Sequence, residues 1–160
     1  MDVTIRKAEI EDLKAMQELN LILFQKEAKD CTPTLTLEWT FSEKGTDYFK
    51  RTIEEECGLA LVAVMDEKVV GYLAGWIWQQ DPCRTVKISE IENMLILEEF
   101  RDKGIGSKLV QEFIKWSKDK EVEVARVGAF IENTETINFY RKNGFEDHEL
   151  ILEMALKNIQ

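Results

Sequence analysis

The sequence predicts an α+β domain built on a mixed, mainly antiparallel β-sheet with helices on both sides. Three observations carry that prediction. Two apolar runs, 59–65 and 69–79, are separated only by Asp66, Glu67 and Lys68, the spacing of an antiparallel hairpin. A long apolar run, 85–97, is followed by a helical period at Ile105, Leu109, Phe113, Ile114 and Trp116 and then by another apolar run, 124–131. A strand–helix–strand crossover of this kind makes its two strands parallel. Helical periods also stand ahead of the hairpin and after the last of these runs.

Taken in order, residues 3–7 alternate briefly and read as a first strand, and residues 10–29 read as an amphipathic helix through Leu13, Met16, Leu19 and Leu23. Cys31-Thr32-Pro33-Thr34 ends that helix, a loop runs to Phe41, and Ser42 or Thr46 caps a second helix reaching Glu55. In the strand 69–79, Trp76 and Trp78 share one face. Residues 80–84 form a loop, 85–97 the long central strand and 105–120 a helix. The strand 124–131 follows, then a helix over 134–143 that Gly144 terminates, and a last strand over 145–156.

At 160 residues the chain is read as one domain, large enough to bury a core. A content of 44% hydrophobic and 32% charged residues is that of a globular protein, and no apolar run nears the roughly 18 residues of a membrane span. The N-terminal Met1-Asp2-Val3-Thr4-Ile5-Arg6 lacks an apolar signal-peptide core, so a cytoplasmic location is expected. The net charge of −10 argues against a nucleic-acid partner and favours a cationic ligand, although a solvated surface accounts for it as well. Cys31, Cys57 and Cys83 are widely spaced, without the pattern of a disulfide framework or a metal site. His148 is the only histidine and reads as a surface residue rather than a member of a catalytic triad.

The stretch 91–110 holds the chemistry. An apolar strand ending in Met94-Leu95-Ile96 leads to Glu98-Glu99-Phe100-Arg101-Asp102-Lys103-Gly104-Ile105-Gly106 and then to a helix. Glycines at a helix start allow positive φ and close backbone approach, and the unpaired N–H groups there, reinforced by the helix dipole, bind anions. Two nucleotide motifs fail against this loop: Gly106 is not followed by Lys-Ser or Lys-Thr, and the third glycine of a dinucleotide fingerprint would fall at Leu109. What fits is Arg-x-x-Gly-x-Gly after an apolar triplet, with a second block of Asn133, Ile137, Phe139-Tyr140-Arg141-Lys142 and Gly144-Phe145.

With these two blocks the chain resembles the GNAT superfamily of acetyl-CoA-dependent N-acetyltransferases, over nearly its whole length and most strongly from Glu90 to Phe145. The resemblance implies acetyl-CoA as co-substrate. It implies that Met94, Leu95 and Ile96 pair with the pantetheine arm, that Arg101, Asp102, Lys103, Gly104, Ile105 and Gly106 hold the phosphates, and that Asn133 contacts the cofactor. A helix N-cap accounts for Asn133 equally well. It further implies that Tyr140 donates a proton to the departing thiolate, although packing beside Phe139 is its other reading. It also makes the segment after the first helix an overlook of the acceptor site, with Phe24, Trp39 and Phe41 as pocket walls; core packing is the ordinary account of each.

An alkyl ammonium has a pKa of about 10.4 and needs a base before it can attack a thioester. Glu92, on the central strand just ahead of the triplet, is the expected base; diamine acetyltransferases of the superfamily carry a glutamate at the matching distance. Glu90, two residues away and on the same face of an unbulged strand, is the alternative base or a partner for a cationic substrate. Trp39, Trp76 and Trp78 can stack on an ammonium. The expected activity is direct transfer of acetyl to a small cationic amine in a ternary complex; a covalent cysteine route lacks a paired histidine. Two alternatives stay open: a protein or peptide N-acetyltransferase, and a non-catalytic acyl-CoA-binding regulatory module. A homodimer is left open too.

Overall fold

A computed structural model describes residues 2–78 and 83–158. Five strands form one sheet in the order β1 (Thr4–Lys7), β2 (Gly58–Met65), β3 (Lys68–Ile77), β4 (Ile88–Ile96) and β5 (Val124–Val127). All neighbours are antiparallel except β4 and β5, which run parallel across the expected helical crossover. The helices are α1 (Leu13–Asp30), α2 (Glu43–Glu54), α3 (Ile105–Asp119) and α4 (Thr134–Lys142).

The sheet is buried on both faces, which is why β2 and β3 read as nearly unbroken apolar runs. Leu59, Leu61 and Ala63 face a core with Leu109, Phe113 and Tyr140, on the side of α3 and α4. Ala60 and Val62 face a second core with Met16, Leu19 and Phe49, on the side of α1 and α2. The β2–β3 connection is tighter than expected: Met65 pairs with Lys68, and only Asp66 and Glu67 turn, both at positive φ (46° and 64°) as a right-twisted hairpin demands. Ser42 caps α2 by accepting from the Gly45 N–H at 3.1 Å.

β4 carries a bulge. Asn93 pairs with Ala74 and Ile91 with Gly75, so Glu92 has no counterpart in β3. The extra residue switches the faces: Ile91 lies in the α3 core and Leu95, four positions on, in the α1–α2 core, whereas strict alternation would put both on one side. The sequence reading assumed an unbulged strand, and in this respect the structure corrects it. Pairing with β5 also stops at Ile91 and Val127, immediately before the bulge.

Other expected boundaries shift as well. β5 ends at Val127 rather than at Ile131, because beyond the bulge β4 no longer offers it an edge, and β4 starts at Ile88 rather than Thr85. Gln79, expected at the end of β3, and the first loop residues Gln80, Asp81 and Pro82 lie outside the described residues. The strand expected over 145–156 is not formed: residues 146–158 have no strand partner and are all exposed. A strand exists only with a neighbour to hydrogen-bond, and this segment is paired with none of the five strands.

Gly75 sits opposite the bulge, where an added Cβ would come within 2.4 Å of the Glu90 carbonyl oxygen and 2.6 Å of the Phe113 ring. Gly75→Ala is therefore expected to destabilise the domain by about 1–3 kcal/mol through overpacking, read as a lower midpoint in chemical denaturation. An unchanged midpoint would show that this face of the bulge is not packed as described.

Candidate active site

Beyond Ile91 the edge of β4 that faced β5 is left without a strand, and it leads straight to the glycine loop. A 3-10 turn over Glu98–Phe100 precedes Arg101, whose Nε donates to the Ile96 carbonyl at 3.0 Å and ties the loop to the end of β4. Lys103 donates from Nζ to the Glu99 carbonyl at 2.9 Å and lies 5.3 Å from the centre of the Phe100 ring. Asp102 and Gly104 take positive φ (58° and 76°), and Gly104 opens α3 without a side-chain cap. The first helical bond is made by the Lys108 N–H, so those of Ile105, Gly106 and Ser107 are left as donors at the positive end of the helix dipole.

The two glycines have different reasons. A Cβ on Gly104 would meet nothing within 4 Å, so what requires glycine there is the left-handed backbone and the open space in front of the donors. A Cβ on Gly106 would meet the Phe139 ring at 3.1 Å, so that glycine lets α4 pack on the first turn of α3. The chain reading assigned both to phosphate approach. Asn133 caps α4, accepting from the Thr136 N–H at 3.2 Å.

On the α1–α2 side, the bulge turns both Glu92 and Asn93 toward Tyr48 of α2. Tyr48 donates from its hydroxyl to the Glu92 carboxylate at 2.6 Å and accepts from the Asn93 amide at 3.0 Å. The Asn93 carbonyl oxygen accepts from Asn20 of α1 at 3.3 Å, and Asn20, fully buried, accepts from Thr40 at 2.7 Å. Every donor in this chain points toward Glu92. Burial lifts the Glu92 carboxyl above the ordinary carboxylate range, with the charge of Glu90 adding to the lift and the Tyr48 hydrogen bond opposing it. Tyr48 is held protonated by burial and by the adjacent carboxylate.

Glu90 is differently placed. Its carboxylate accepts from the Trp78 indole at 2.7 Å and from Arg126 of β5 at 2.9 Å. Arg126 also lies 5.0 Å from the Trp78 ring centre, and Arg51 lies 5.3 Å from that of Trp76. The guanidinium groups thus occupy the two tryptophan faces expected to meet a ligand cation. Phe24 stacks on Trp39 at 5.7 Å, Trp39 approaches Tyr48 at 5.5 Å and Tyr48 approaches Trp76 at 6.4 Å, one aromatic line from α1 to β3. Phe41 is exposed.

Tyr140 lies on the other side of the sheet, in the α3 core, between Phe139 and Phe145. Burial pushes its phenol well above the ordinary tyrosine range, so it keeps its proton at neutral pH. No hydrogen bond or ring contact joins Glu92 and Tyr140. Tyr48, Asn93 and Asn20 escaped the sequence reading. Only the tyrosine in an amphipathic helix hinted at them, and that pattern is common to ordinary cores. Among the described residues no cluster of three His, Cys, Asp or Glu stands in reach of one metal ion, and no helix is long and apolar enough to cross a membrane.

The fold and the glycine loop at the start of α3 have counterparts among known proteins. The sequence profile of the acetyltransferase (GNAT) family matches residues 14–145, and the chain belongs to that family. It is 27% identical over 107 residues to an uncharacterized N-acetyltransferase of Methanocaldococcus jannaschii, covering 65% of this chain and 46% of that one. It is 30% identical over 111 residues to an N-alpha-acetyltransferase of Sulfurisphaera tokodaii, covering 65% and 66% respectively. The chain thus spans less than two thirds of the length of either relative. Its fold matches that of the aminoglycoside N-acetyltransferase AAC(6')-Iy, solved with a CoA–acetylneamine bisubstrate analog, with a TM-score of 0.77, 16% identity, and coverage of 99% of this chain and 100% of that one.

The Tyr48 hydroxyl stabilises the ionised form of Glu92, so removing it raises the carboxyl pKa further. Tyr48→Phe is expected to move the Glu92 midpoint upward in a carbon-detected NMR titration of the side-chain carboxyls. A midpoint that stayed or fell would show that the bond does not hold in solution.

Proposed function

We propose that the protein transfers acetyl from acetyl-CoA to a small cationic amine, directly and in a ternary complex. The observation that carries this reading is Glu92: a carboxyl of raised proton affinity, held by Tyr48 where β4 loses its β5 neighbour. In this reading the N–H groups at the start of α3 hold the CoA phosphates, each charge-assisted bond worth about 1.5–3 kcal/mol, and the free edge of Met94 to Ile96 pairs with the pantetheine arm. Glu92 takes a proton from the bound ammonium. The amine nitrogen then attacks the thioester carbonyl, the C–S bond breaks, and the departing thiolate takes the phenolic proton of Tyr140; the surplus proton left on the new amide nitrogen passes through solvent to restore the phenol, and Glu92 gives its proton to solvent.

The charges at that end of the sheet support this acceptor class. Glu92 accepts one hydrogen bond, from a neutral phenol, and keeps capacity for an ammonium, whereas Glu90 is spent on Arg126 and Trp78 and contributes negative potential rather than a free ligand. Trp76 and Trp78, already faced by arginines, shape the walls, as do Phe24 and Trp39. The net charge of −10 attracts cations to the surface as a whole. A peptide N-terminus is the second reading, favoured by the likeness to the Sulfurisphaera N-alpha-acetyltransferase.

Thiol release from acetyl-CoA, measured across a diamine, a neutral amino sugar and a peptide with uncharged side chains, tests the reading. The diamine is expected to have the highest kcat/KM, and a tenfold preference for either other acceptor, about 1.4 kcal/mol, would reject the cationic class. With the best acceptor, Glu92→Gln and Tyr140→Phe are each expected to lower turnover about 10²–10⁴-fold, the scale of one acid or base. A change under about threefold with chemistry rate-limiting would remove that residue from the mechanism.

Gly104→Val strains a left-handed turn and fills the space before the α3 donors. Calorimetry is expected to show acetyl-CoA affinity at least about tenfold weaker in the folded variant, a loss of about one hydrogen bond. Wild-type affinity would move the phosphate site elsewhere.

A further inference from the structure

We propose that Asn20, a buried amide of α1, is a positioning residue for Glu92: by fixing the orientation of the Asn93 amide, it directs the single hydroxyl proton of Tyr48 onto the Glu92 carboxylate. On the reading of Glu92 as the base, on which the catalytic consequence rests, Asn20 thereby sets the pH range of turnover. Tyr48 has two polar neighbours for its hydroxyl, Glu92 at 2.6 Å and Asn93 at 3.0 Å. An ionised carboxylate only accepts, but an asparagine side chain can present either its NH2 or its carbonyl oxygen, two ends of nearly equal size. With the NH2 toward Tyr48, the phenol oxygen accepts from Asn93 and its proton is left for Glu92. With the carbonyl toward Tyr48, Asn93 competes for that proton and Glu92 loses the Tyr48 donor. The first orientation favours the ionised carboxylate and the second its protonated form.

What chooses between the two lies one residue further on. Asn20 presents its NH2 to two oxygens, the Tyr72 hydroxyl at 3.0 Å and the Asn93 carbonyl at 3.3 Å, and its own carbonyl to one donor, the Thr40 hydroxyl at 2.7 Å. An NH2 has two hydrogens to place, and on this side it has two acceptors. Reversed, Asn20 would accept from Asn93 and Tyr72 but would have only the Thr40 hydroxyl for two N–H groups. One donor would be orphaned in a site that is 0% exposed, where water cannot replace the lost partner. Asn93 has to follow Asn20, because its carbonyl is held by the Asn20 NH2. Tyr72 of β3 supplies the asymmetry, Asn20 transmits it and Tyr48 delivers it.

The charged groups around Glu92 act apart from this selection. Glu90, two positions back on β4, raises the proton affinity of Glu92 through its charge, and its carboxylate is bonded to Trp78 and to Arg126 of β5. Arg51 of α2 is bonded to Glu55, and Glu27 of α1 reaches Tyr72 and Tyr140 only through its charge. Among the described residues none of these hydrogen-bonds to Asn20, Asn93 or Tyr72, whose partners are one another, Thr40 and Tyr48.

Carbon-detected NMR titration of the side-chain carboxyls tests this in the full chain, with Tyr72→Phe or Asn20→Leu, each alone and combined with Tyr48→Phe. Tyr72→Phe keeps the ring and removes one of the two oxygens that hold the Asn20 NH2; Asn20→Leu removes the amide itself. Each is expected to raise the proton affinity of Glu92 about tenfold, the scale of one buried donor left without a partner. In the Tyr48→Phe background, where the hydroxyl that carries the effect is gone, each is expected to change it less than about twofold. A Glu92 midpoint that does not rise with Tyr72→Phe overturns the proposal. A rise that persists in the Tyr48→Phe background overturns it as well, since repacking and not a directed proton would then be its cause. Should neither variant fold, the wild type decides: the side-chain NH2 signals of Asn93 and Asn20 are expected to titrate with the Glu92 midpoint, and signals indifferent to it overturn the relay. The acidic limb of kcat/KM against pH is expected to move upward with the midpoint, because a base of higher proton affinity is ionised only at higher pH. A midpoint that rises while the limb stays supports the role of Asn20 and rejects Glu92 as the base, so the two failures are told apart.

Discussion

β4 holds one residue more than β3 can match, and in a sheet buried on both faces that excess has to be accommodated by its neighbours. Asn93 is driven into the α1–α2 side, where an unpaired amide would cost about 1–3 kcal/mol. The chain of donors from Thr40 through Asn20, Asn93 and Tyr48 to Glu92 satisfies it, and in doing so fixes α1, the turn after it and α2 against one point on the sheet. Because every bond points the same way, each polarises the next, and the carboxylate at the end receives the sum. The same misfit ends the β4–β5 ladder and leaves the backbone edge that the candidate site needs. Geometry, electrostatics and access all trace to one inserted residue.

Elements governed by local sequence were legible. The hairpin turn, the helical period of α3, the Gly144 stop and the two GNAT blocks could be read because each is encoded within a few residues. What escaped depends on residues far apart in the chain. Nothing in Glu90-Ile91-Glu92-Asn93 announces a bulge, since the misfit is with Gly75 of β3, where no Cβ can be accommodated. Tyr48 and Asn20 look like ordinary helix residues until the fold brings them 44 and 73 positions along the chain to Glu92 and Asn93. The tryptophans were read as open to a ligand cation because the sequence cannot reveal that Arg51 and Arg126 lie over them. The strand over 145–156 was expected from its alternation, but alternation specifies a preference and not the neighbour that realises it.

The sheet acts as a partition in the proposed reaction. A base on the α1–α2 side and an acid on the α3–α4 side are kept apart by it, so neither can neutralise the other at rest. Both groups are moved from their ordinary proton affinities by burial, and in the same direction, but with opposite consequences. Glu92 becomes the stronger base once ionised, while Tyr140 is secured in its neutral form as a proton donor.

The contact between Gly106 and Phe139 ties two parts of the molecule that the sequence presents as separate motifs. With 3.1 Å between a prospective Cβ and the ring, the space at position 106 and the bulk at position 139 form a single quantity shared by two residues. A side chain larger than glycine at 106 requires the Phe139 ring to give by a few tenths of an ångström, so the first turn of α3 and the seating of α4 upon it are set together.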